Sequence, residues 1–359
     1  MSVAFVFPHP AEGPTGGYKV VYEYANRLAA DGVEVHIVYS GSIFWRSKSL
    51  WHKMTNVVRQ LQWRVKGYGA RRWFPLDGRV REHLSLSMCR RHVPRADVYV
   101  ATSPYTAWYV ARYSDVPSAR LFCLIQGRED WGPGLRAILE ETYHSRLRKI
   151  AVSRWLQRML RDEYGEQSEL VTNGFDFSRF RLETSVGERA AATVSMLWHT
   201  QPLKDCATGV KAMEMVKTMY PGLRVTMFGL PERPAALPEW VEYHCRPDEA
   251  THRRINNSSA IFLATSLSEG WGLTVGEAMA CGQAVVCTDI DGYREMAEDG
   301  RNALIVPPGD AAAMARAVSR LIDDGNLRRK LATQGVADIS RFTWDASYAR
   351  LRGLLTTSY

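Results

Sequence analysis

Residues 259–282 read SAIFLATSLSEGWGLTVGEAMACG, and this stretch holds a strand, a loop and a helix in direct succession. The apolar run 260–264 predicts a buried strand, and the glycine-containing loop LSEGWG follows it. The segment LTVGEAMA then predicts a helix. A strand that leads through such a loop into a helix is typical of an α/β fold with a parallel sheet.

The same alternation runs along the whole chain and restarts once. The first 40 residues read as strand, Gly/Pro-rich loop, helix to about Ala30, a C-cap at Gly32, and a second strand. Further strands are predicted at 97–103, 120–126, 148–153, 168–176, 192–197, 223–229, 241–245, 259–266, 283–289 and 303–308. Helices are predicted at roughly 154–164, 205–218, 250–257, 272–281, 292–298, 310–323, 326–338 and 344–355.

The segment 177–192 is polar and unpatterned, which favours a linker between two doubly wound, Rossmann-like domains. We therefore predict an N-terminal domain over 1–180 and a C-terminal domain over 187–342. A last helix within 343–359 is expected to pack back toward the N-terminal domain. In such folds ligands bind beyond the carboxyl ends of the strands, so we expect the site in a cleft between the domains.

The composition is that of a globular protein. Apolar residues make up 46% and charged residues 23% of the 359 residues. No stretch approaches the roughly 20 apolar residues of a membrane span. The first residues lack the pattern of a signal peptide, and the six cysteines form no C-x-x-C pair. These features predict a cytoplasmic protein with free thiols.

The net charge of +8 is concentrated in residues 43–73, which hold eight Lys or Arg and no Asp or Glu. Tryptophans and other aromatic residues are interleaved with them. This pattern suits an anionic membrane surface or a lipid-linked acceptor, while a solvated basic helix and a nucleic-acid surface are the alternatives. The candidate residues of the membrane or acceptor surface are Arg46, Lys48, Lys53, Arg59, Arg64 and Lys66.

Two glutamates, Glu269 and Glu277, stand eight positions apart in the opening stretch. The first amides of the helix, near Gly272, have no intrahelical partner and favour an anion such as a diphosphate. A carboxylate at Glu269 suits sugar hydroxyls or developing positive charge, and Glu277 reaches another part of the same ligand. A sugar nucleotide has this layout. The alternative, two solvent-facing acids stabilised by the helix dipole, fits the spacing equally well.

Residues 264–310 read ATSLSEGWGLTVGEAMACGQAVVCTDIDGYREMAEDGRNALIVPPGD. This stretch resembles the C-terminal signature of the retaining "group 1" (family 4) glycosyltransferases. That signature has two glutamates separated by seven residues, then a Gly-x-x-Glu element, here Gly292 to Glu295. IAVSRWLQRMLRDEYG, VTNGFDFSRF and TGGYKVVYEYANRLAADGVEVHIV are similar to other elements of the family. The resemblance covers nearly the whole chain apart from about 43–95 and implies the GT-B fold, with two Rossmann-like domains facing across a cleft. It also implies that the N-terminal domain (1–180) binds the acceptor and the C-terminal domain (187–342) binds the nucleotide sugar.

The resemblance also implies roles for individual residues. Glu277 is expected to bind the ribose hydroxyls and Glu269 the donor sugar near its reacting carbon. The remaining nucleotide-sugar-binding residues implied by the family motifs are Gly16, Gly17, Lys204, Gly270, Trp271, Gly272, Leu273 and Thr274. No bound metal or cofactor is expected, and the co-substrate is a UDP, GDP or dTDP sugar.

The chain departs from the family pattern at two places. The family has an arginine six positions before the lysine that matches Lys204, but here that position is Trp198, with His199 beside it. His199 either supplies part of the missing charge, forms a hydrogen bond, or ends a strand. A family histidine that faces donor and acceptor is replaced by Gln126, which can hydrogen-bond sugar hydroxyls; the acids Glu129 and Asp130 follow.

Other motifs carry less weight. Asp289 and Asp291 form an Asp-x-Asp pair, which we interpret as a polar loop because the GT-B resemblance implies helix amides and Lys204 in place of a metal. No nucleophile elbow or P-loop is present in the sequence. We predict a retaining hexosyltransferase in the assembly of polysaccharide, lipopolysaccharide or glycolipid, cytoplasmic or peripheral on the inner membrane face. The alternatives are a transferase with a small-molecule acceptor and a catalytically silent GT-B scaffold.

Overall fold

The computed structural model describes residues 1–40, 50–129 and 135–357, and leaves the side chains of 50–53, 55, 56 and 135 undescribed. Its strands are β1 (Ser2–Phe7), β2 (Glu34–Ser40), β3 (Arg81–Ser85), β4 (Val98–Ala101), β5 (Leu121–Ile125), β6 (Arg148–Ala151), β7 (Glu169–Leu170), β8 (Thr193–Trp198), β9 (Arg224–Gly229), β10 (Val241–Cys245), β11 (Ile261–Ala264), β12 (Ala284–Thr288) and β13 (Ala303–Val306). Its α-helices are α1 (Gly16–Ala30), α2 (Leu50–Lys66), α3 (Pro104–Val110), α4 (Leu135–Tyr143), α5 (Arg154–Tyr164), α6 (Cys206–Met219), α7 (Glu249–Ser258), α8 (Leu273–Ala280), α9 (Asp291–Arg294), α10 (Ala311–Asp323), α11 (Gly325–Ile339) and α12 (Trp344–Thr356).

Two parallel sheets organise these elements. The first has the order β3-β2-β1-β4-β5-β6-β7 and the second the order β10-β9-β8-β11-β12-β13. All the strand pairs within them are parallel. Each order reverses direction beside its first strand, β1 or β8, which is the switch point of a doubly wound sheet and the usual place for a ligand. The predicted fold class is therefore confirmed.

The chain divides into two compact units. The first unit comprises Met1–Thr172 with Asp345–Tyr359, and the second comprises Asn173–Trp344. The division falls before the predicted domain end at 180, because Phe175 already belongs to the second unit. Its amide donates to the carbonyl of Phe342 at 2.9 Å, and its ring fills the space beside Gly276.

The last helix, α12, packs within the first unit. The hydroxyl of Tyr24 lies 2.7 Å from Ser347 Oγ, and Ser347 donates in turn to the carbonyl oxygen of Thr172. Leu351 and Leu355 are fully enclosed. Removing these apolar side chains from water is what holds the chain terminus to the first unit.

Both cores consist of the apolar strands and the helix faces against them. In the second unit the buried cluster includes Val194, Leu263 and Val286 from three neighbouring strands and Met314 and Leu331 from two helices. All six cysteines are free; Cys89 is exposed, Cys245 is partly exposed and the others are buried. None of the described helices has the length and apolar character needed to cross a membrane.

Candidate functional site

The loop after β11 is fixed against the loop after β8, and this brings Glu269 to Lys204. The amide of Leu267 donates to the carbonyl of Leu203 at 2.7 Å. The hydroxyl of Thr265 donates to the carbonyl of Lys204, also at 2.7 Å. The two loops leave neighbouring strands of the sheet at their carboxyl ends, so the topology itself places their polar side chains together.

Lys204 and Glu269 form an ion pair with 2.5 Å between Nζ and Oε1. Ser266 Oγ donates to the same carboxylate oxygen at 2.8 Å. The side chains of Lys204 and Glu269 are 22% and 17% exposed, so both are anchored and still reachable by a ligand. The arrangement presents one cationic and one anionic group side by side at the carboxyl ends of β8 and β11 in the second sheet.

Gly292 lies directly against the backbone of Glu269. A Cβ atom at residue 292 would come within 2.2 Å of the carbonyl oxygen of Glu269. Next to it, the buried ring of Tyr293 lies under Gly272, where a Cβ would stand 2.7 Å from the ring. Because Gly292 of the Gly-x-x-Glu element has no side chain, the α9 segment packs directly against the loop that carries Glu269.

Helix α8 begins at Gly272 without a side-chain cap. Gly272 has a φ of 92°, a left-handed conformation that favours glycine. Gly272, as the N-cap residue, supplies no side-chain hydrogen bond to the first amides of the helix, and the helix dipole at this end favours an anion. Glu277 lies one turn further along the same helix and is 7% exposed, while Gly276 leaves room for the Phe175 ring.

His199 follows β8 and is held as a neutral imidazole. Its Nδ1 accepts a hydrogen bond from the amide of Gln201 at 2.9 Å, which assigns the ring proton to Nε2. Burial and then the nearby Lys204 ammonium lower the pKa of His199, while Glu269 opposes them. His199 therefore offers a hydrogen-bond donor in place of the missing arginine, and not a permanent positive charge.

In the first unit, Gly17 and Gln126 lie together. Gly16 and Gly17 begin α1, and a Cβ at Gly17 would lie 3.2 Å from the side-chain Nε2 of Gln126. Glu129 follows on the same loop and is half-buried; burial raises the pKa of its carboxyl group to about 8, and its charge acts on Tyr18 and Tyr105. No sequence pattern reveals this burial, because it depends on tertiary packing. Asp130 lies outside the described residues.

Two other candidates have structural partners. Trp271 is 3% exposed and packs edge-on against Phe342 at 5.1 Å between ring centroids, so its side chain belongs to the core of the second unit. Asp289 pairs with Arg294 at 2.5 Å. Among the residues with described side chains, no group of three or more His, Cys, Asp or Glu side chains is placed to hold a metal ion.

The basic segment forms α2 and the turn that follows it. Arg64 and Lys66 are exposed, and Arg59 is half-buried. Arg46 and Lys48 lie outside the described residues, and the Lys53 side chain is likewise not described. The structure therefore assigns the described part of this segment to a surface helix.

Solved structures define the class of the fold. Sucrose-phosphate synthase from Thermosynechococcus elongatus matches with a TM-score of 0.72 and 15% identity, over 99% of this chain and 98% of that chain. HepE of Anabaena, solved in complex with UDP and glucose, matches with a TM-score of 0.72 and 16% identity, over 99% and 100%. The chain has the GT-B fold of these glycosyltransferases.

Comparisons of the amino-acid sequence show which proteins the chain is similar to. The model of the family described as "Glycosyl transferases group 1" matches residues 189–324, within the second unit. Phosphatidyl-myo-inositol mannosyltransferase of Mycolicibacterium smegmatis is 26% identical over 60% of this chain and 58% of its own length. The protein of the same name from Mycobacterium leprae is 22% identical over 99% and 97%. Residues 189–324 thus match the group 1 glycosyltransferases, and the chain as a whole is similar to glycosyltransferases.

Other relatives are matched over part of their length only. D-inositol 3-phosphate glycosyltransferase of Acidothermus cellulolyticus is 28% identical over 62% of this chain and 56% of its own length. The matched region thus spans less than two thirds of this relative and of the M. smegmatis one. Their substrates are accordingly a matter for proposal.

Proposed function

We propose that the chain transfers a hexose from a UDP, GDP or dTDP sugar to an acceptor hydroxyl, with retention at the anomeric carbon. The observation that carries this proposal is the Lys204–Glu269 pair beside the uncapped start of α8. The bond broken in such a donor joins a sugar carbon, which becomes positively charged, to a diphosphate oxygen, which becomes negatively charged. A carboxylate and an ammonium in mutual hydrogen-bond reach match the two sides of that bond.

Each group then has one task. Lys204 and the first amides of α8 stabilise the negative charge on the leaving diphosphate. Glu269 stabilises the positive charge on the sugar and accepts hydrogen bonds from its hydroxyls. Glu277, one turn along α8, accepts from the ribose hydroxyls, and His199 donates from Nε2 on the phosphate side. No step in this scheme requires a metal ion.

The reaction balances without an added base. The bond between the anomeric carbon and the diphosphate oxygen breaks as the acceptor oxygen attacks from the same face. The acceptor proton passes to the departing phosphate oxygen, so the products are the glycoside and a protonated nucleoside diphosphate. Gly16, Gly17 and Gln126 of the first unit are proposed to serve the diphosphate and the acceptor side of this reaction.

The names of the relatives favour an acceptor that carries inositol and phosphate, in a lipid or in soluble form. The basic helix α2 supports the lipid-linked form at an anionic membrane surface, consistent with a role in glycolipid or surface-polysaccharide assembly. A small-molecule acceptor is the alternative. The missing arginine favours one further alternative, a silent scaffold that binds nucleotide without turnover.

Nucleotide binding is the first test. UDP, GDP, dTDP and ADP are added separately to the purified chain, without metal and then with Mg²⁺, and the melting temperature is recorded. A ligand at about 100 times its dissociation constant adds roughly 2.7 kcal/mol to the free energy of unfolding. One clear rise without metal supports the α8 and Lys204 site, whereas no rise with any of the four contradicts it.

Glu277→Gln tests the ribose contact with the nucleotide that gives the rise. Loss of a hydrogen bond to a charged acceptor costs about 1.5–3 kcal/mol, so we expect the dissociation constant to increase about tenfold or more by calorimetry. Glu214→Gln, on the exposed face of α6, is the matched control and should bind as the wild type does. Equal affinity in both variants would remove Glu277 from the nucleotide site.

Donor turnover separates an enzyme from a silent scaffold. The wild-type chain should release nucleoside diphosphate from its donor sugar, and Glu269→Gln should not. A chain that binds nucleotide and shows no turnover with any donor and acceptor supplied would support the scaffold.

A further inference from the structure

Lys204 has an acidic partner inside the protein itself. Its Nζ lies 2.5 Å from Oε1 of Glu269, which is the geometry of a charge-assisted hydrogen bond. Both side chains are mostly buried, so water and salt screen their attraction only in part. Any anion that approaches Lys204 must therefore compete with a carboxylate that is already in contact with the ammonium.

The backbone on both sides of this ion pair is fixed. The buried hydroxyl of Thr265, directly after β11, donates to the carbonyl of Lys204 at 2.7 Å. Ser266 Oγ donates to Oε1 of Glu269 at 2.8 Å, and the carbonyl of Ser266 accepts in turn from the hydroxyl of Thr288 at 2.5 Å. Surface ion pairs are weak partly because two flexible side chains must be ordered together. That cost is smaller here, since the loops that carry the two charges are already joined.

Lys204 is also the cation that the proposed reaction assigns to the diphosphate. Among the residues whose side chains the structure describes, it is the one that forms an ion pair with Glu269. Arg294 of the neighbouring α9 pairs with Asp289 at 2.5 Å. Burial, and then the charge of Lys204, lower the pKa of His199, so its ring is neutral near pH 7. A contact that occupies Lys204 therefore occupies the charge that the leaving group needs.

Glu269 affects a sugar nucleotide and a bare nucleoside diphosphate differently. Like charges repel, and the repulsion is stronger in a partly buried site than in bulk water. A bare diphosphate meets this repulsion and must also draw Lys204 away from Glu269. A sugar attached to the diphosphate offsets both effects, because its hydroxyls donate to the carboxylate and give it a new partner. Glu269 therefore weakens the binding of the bare diphosphate selectively.

We propose that Glu269 masks Lys204 against a nucleoside diphosphate that carries no sugar, and so weakens the hold of the site on its own product. The inference rests on the proposed function, because it takes Lys204 as the diphosphate contact, and it adds a regulation of the same site. When the sugar leaves with the acceptor, Glu269 returns to Lys204 and competes with the product for the ammonium. The ion pair thus limits inhibition of the transferase by the nucleoside diphosphate.

Masking is distinct from plain repulsion between Glu269 and a phosphate. Repulsion requires only the carboxylate, so it would act in the same way with or without Lys204. Masking requires both groups, so the effect of removing the charge of Glu269 must depend on the presence of Lys204. A double-mutant cycle measures that dependence directly.

The test is isothermal titration calorimetry of the full chain with UDP, GDP and dTDP, and with UMP, GMP and dTMP as ligands without the β-phosphate. The variants are Glu269→Gln, Lys204→Ala and the double variant. Glu239→Gln is the matched control, because Glu239 is exposed and precedes β10, at the end of the parallel sheet opposite the site. Melting temperatures show that each variant is folded.

With the diphosphate that the chain binds, Glu269→Gln should lower the dissociation constant about tenfold, which corresponds to about 1.4 kcal/mol. The monophosphate of the same base should bind the wild type and Glu269→Gln equally, because it has no β-phosphate for Lys204. In the Lys204→Ala background the gain from Glu269→Gln should be less than about threefold, since the energies of contacting charges are not additive. Glu239→Gln should bind as the wild type does.

Three outcomes would overturn the proposal. The first is a diphosphate affinity of Glu269→Gln that is equal to or weaker than that of the wild type; loss of donor turnover in the same variant would then still support the proposed function. The second is a gain of the same size in the Lys204→Ala background or with the monophosphate, which would indicate repulsion alone. The third is the failure of every diphosphate to bind any of the variants, which would contradict the proposed function as well.

Discussion

At the scale of single residues, the positive charge beside Glu269 comes from Lys204. Among the described residues of the loops after β8 and β11, Lys204 is the only permanent cation that contacts Glu269. The position where the family has an arginine is occupied by Trp198, and the neighbouring His199 is neutral. In the proposed mechanism, the stabilisation of the departing diphosphate therefore depends more heavily on this one ammonium than it would with an arginine beside it. This dependence makes Lys204 the sharpest residue to test.

Lys204→Ala should lower kcat for transfer by about 10²–10³-fold, because a preorganised donor to the charge of a transition state contributes that much. The effect on KM should be much smaller. Lys211→Ala, an exposed lysine on α6, changes the net charge equally and should leave kcat unaltered. If the two variants have the same kcat, Lys204 has no contact with the leaving group.

The protonation of His199 gives a second prediction. Its pKa is lowered by burial and by Lys204, so NMR titration should place its midpoint below the ordinary value of about 6.5. Because the unfolded chain then takes up the proton first, His199 contributes less to the free energy of unfolding as pH falls through this range. Binding of a nucleoside diphosphate should raise the midpoint. A midpoint above the ordinary value in the free enzyme, identified by its loss in His199→Gln, would contradict the neutral assignment.

Sequence reasoning predicted Lys204, Glu269 and Glu277 as site residues because each stands in a spaced pattern with glycines and a helix start, and the structure brings Lys204 and Glu269 together. It gave Glu129 little weight, since a carboxylate in a polar loop shows no pattern that reveals its burial. It assigned the backbone amides from Gly270 to Thr274 to the ligand, and the structure adds that the side chain of Trp271 points into the core. Which way a side chain points beside a glycine depends on the backbone, and no spacing rule supplies that.

At the scale of elements, the glycines at the site act by steric fit. Gly292 touches the carbonyl of Glu269, and Gly276 touches the ring of Phe175. Neither contact is visible in the sequence, although both residues belong to the motif. The two glycines therefore let these elements pack more closely against their neighbours than residues with side chains would allow.

Gly292→Ala should destabilise the protein and disturb Glu269 together. The new Cβ would stand 2.2 Å from a backbone oxygen, and such overpacking costs about 1–3 kcal/mol. Thermal unfolding should show the loss of stability, and kcat should fall because the glutamate loop must move. Gly222→Ala is the control: nothing lies within 4 Å of its Cβ position, so its stability should change by less than about 0.5 kcal/mol. Equal melting temperatures in the two variants would refute the contact.

The elements that sequence patterns missed share a physical cause. The edge strand β3 (REHLS) is mostly polar, and α3 (PYTAWYV) is short and aromatic, so neither shows a clear apolar period. β3 forms because its backbone pairs with β2, and α3 begins where Ser103 and Thr106 form a capping box. The predicted strand 168–176 is shortened to two residues, because the chain crosses there into the second unit.

At the scale of the whole molecule, the two units differ in chain continuity. The second is one continuous segment, whereas the first is completed by the residues after 344. The far end of the chain therefore contributes to the stability of the first unit. The stability of each unit can therefore be measured separately by hydrogen exchange.

Leu355→Ala should destabilise the first unit, since emptying a fully buried leucine site costs about 2–5 kcal/mol. Hydrogen exchange read by mass spectrometry should show faster exchange in β1 and α1, with the second unit little changed. Leu331→Ala, at an equally buried leucine of α11, should show the opposite distribution. Uniform loss of protection in both variants would mean that the units unfold together.

The sequence by itself determined the doubly wound α/β class and the two-domain organisation, and it predicted the glutamates and lysine of the candidate site. These follow from local periodicity and from motifs contained in short segments. Only the tertiary structure decided the unit boundary at Thr172, the pairing of Lys204 with Glu269 and the hydrogen bond that His199 Nδ1 accepts from Gln201. Each of these depends on which residues come into contact and how much water they exclude, and local spacing does not encode that.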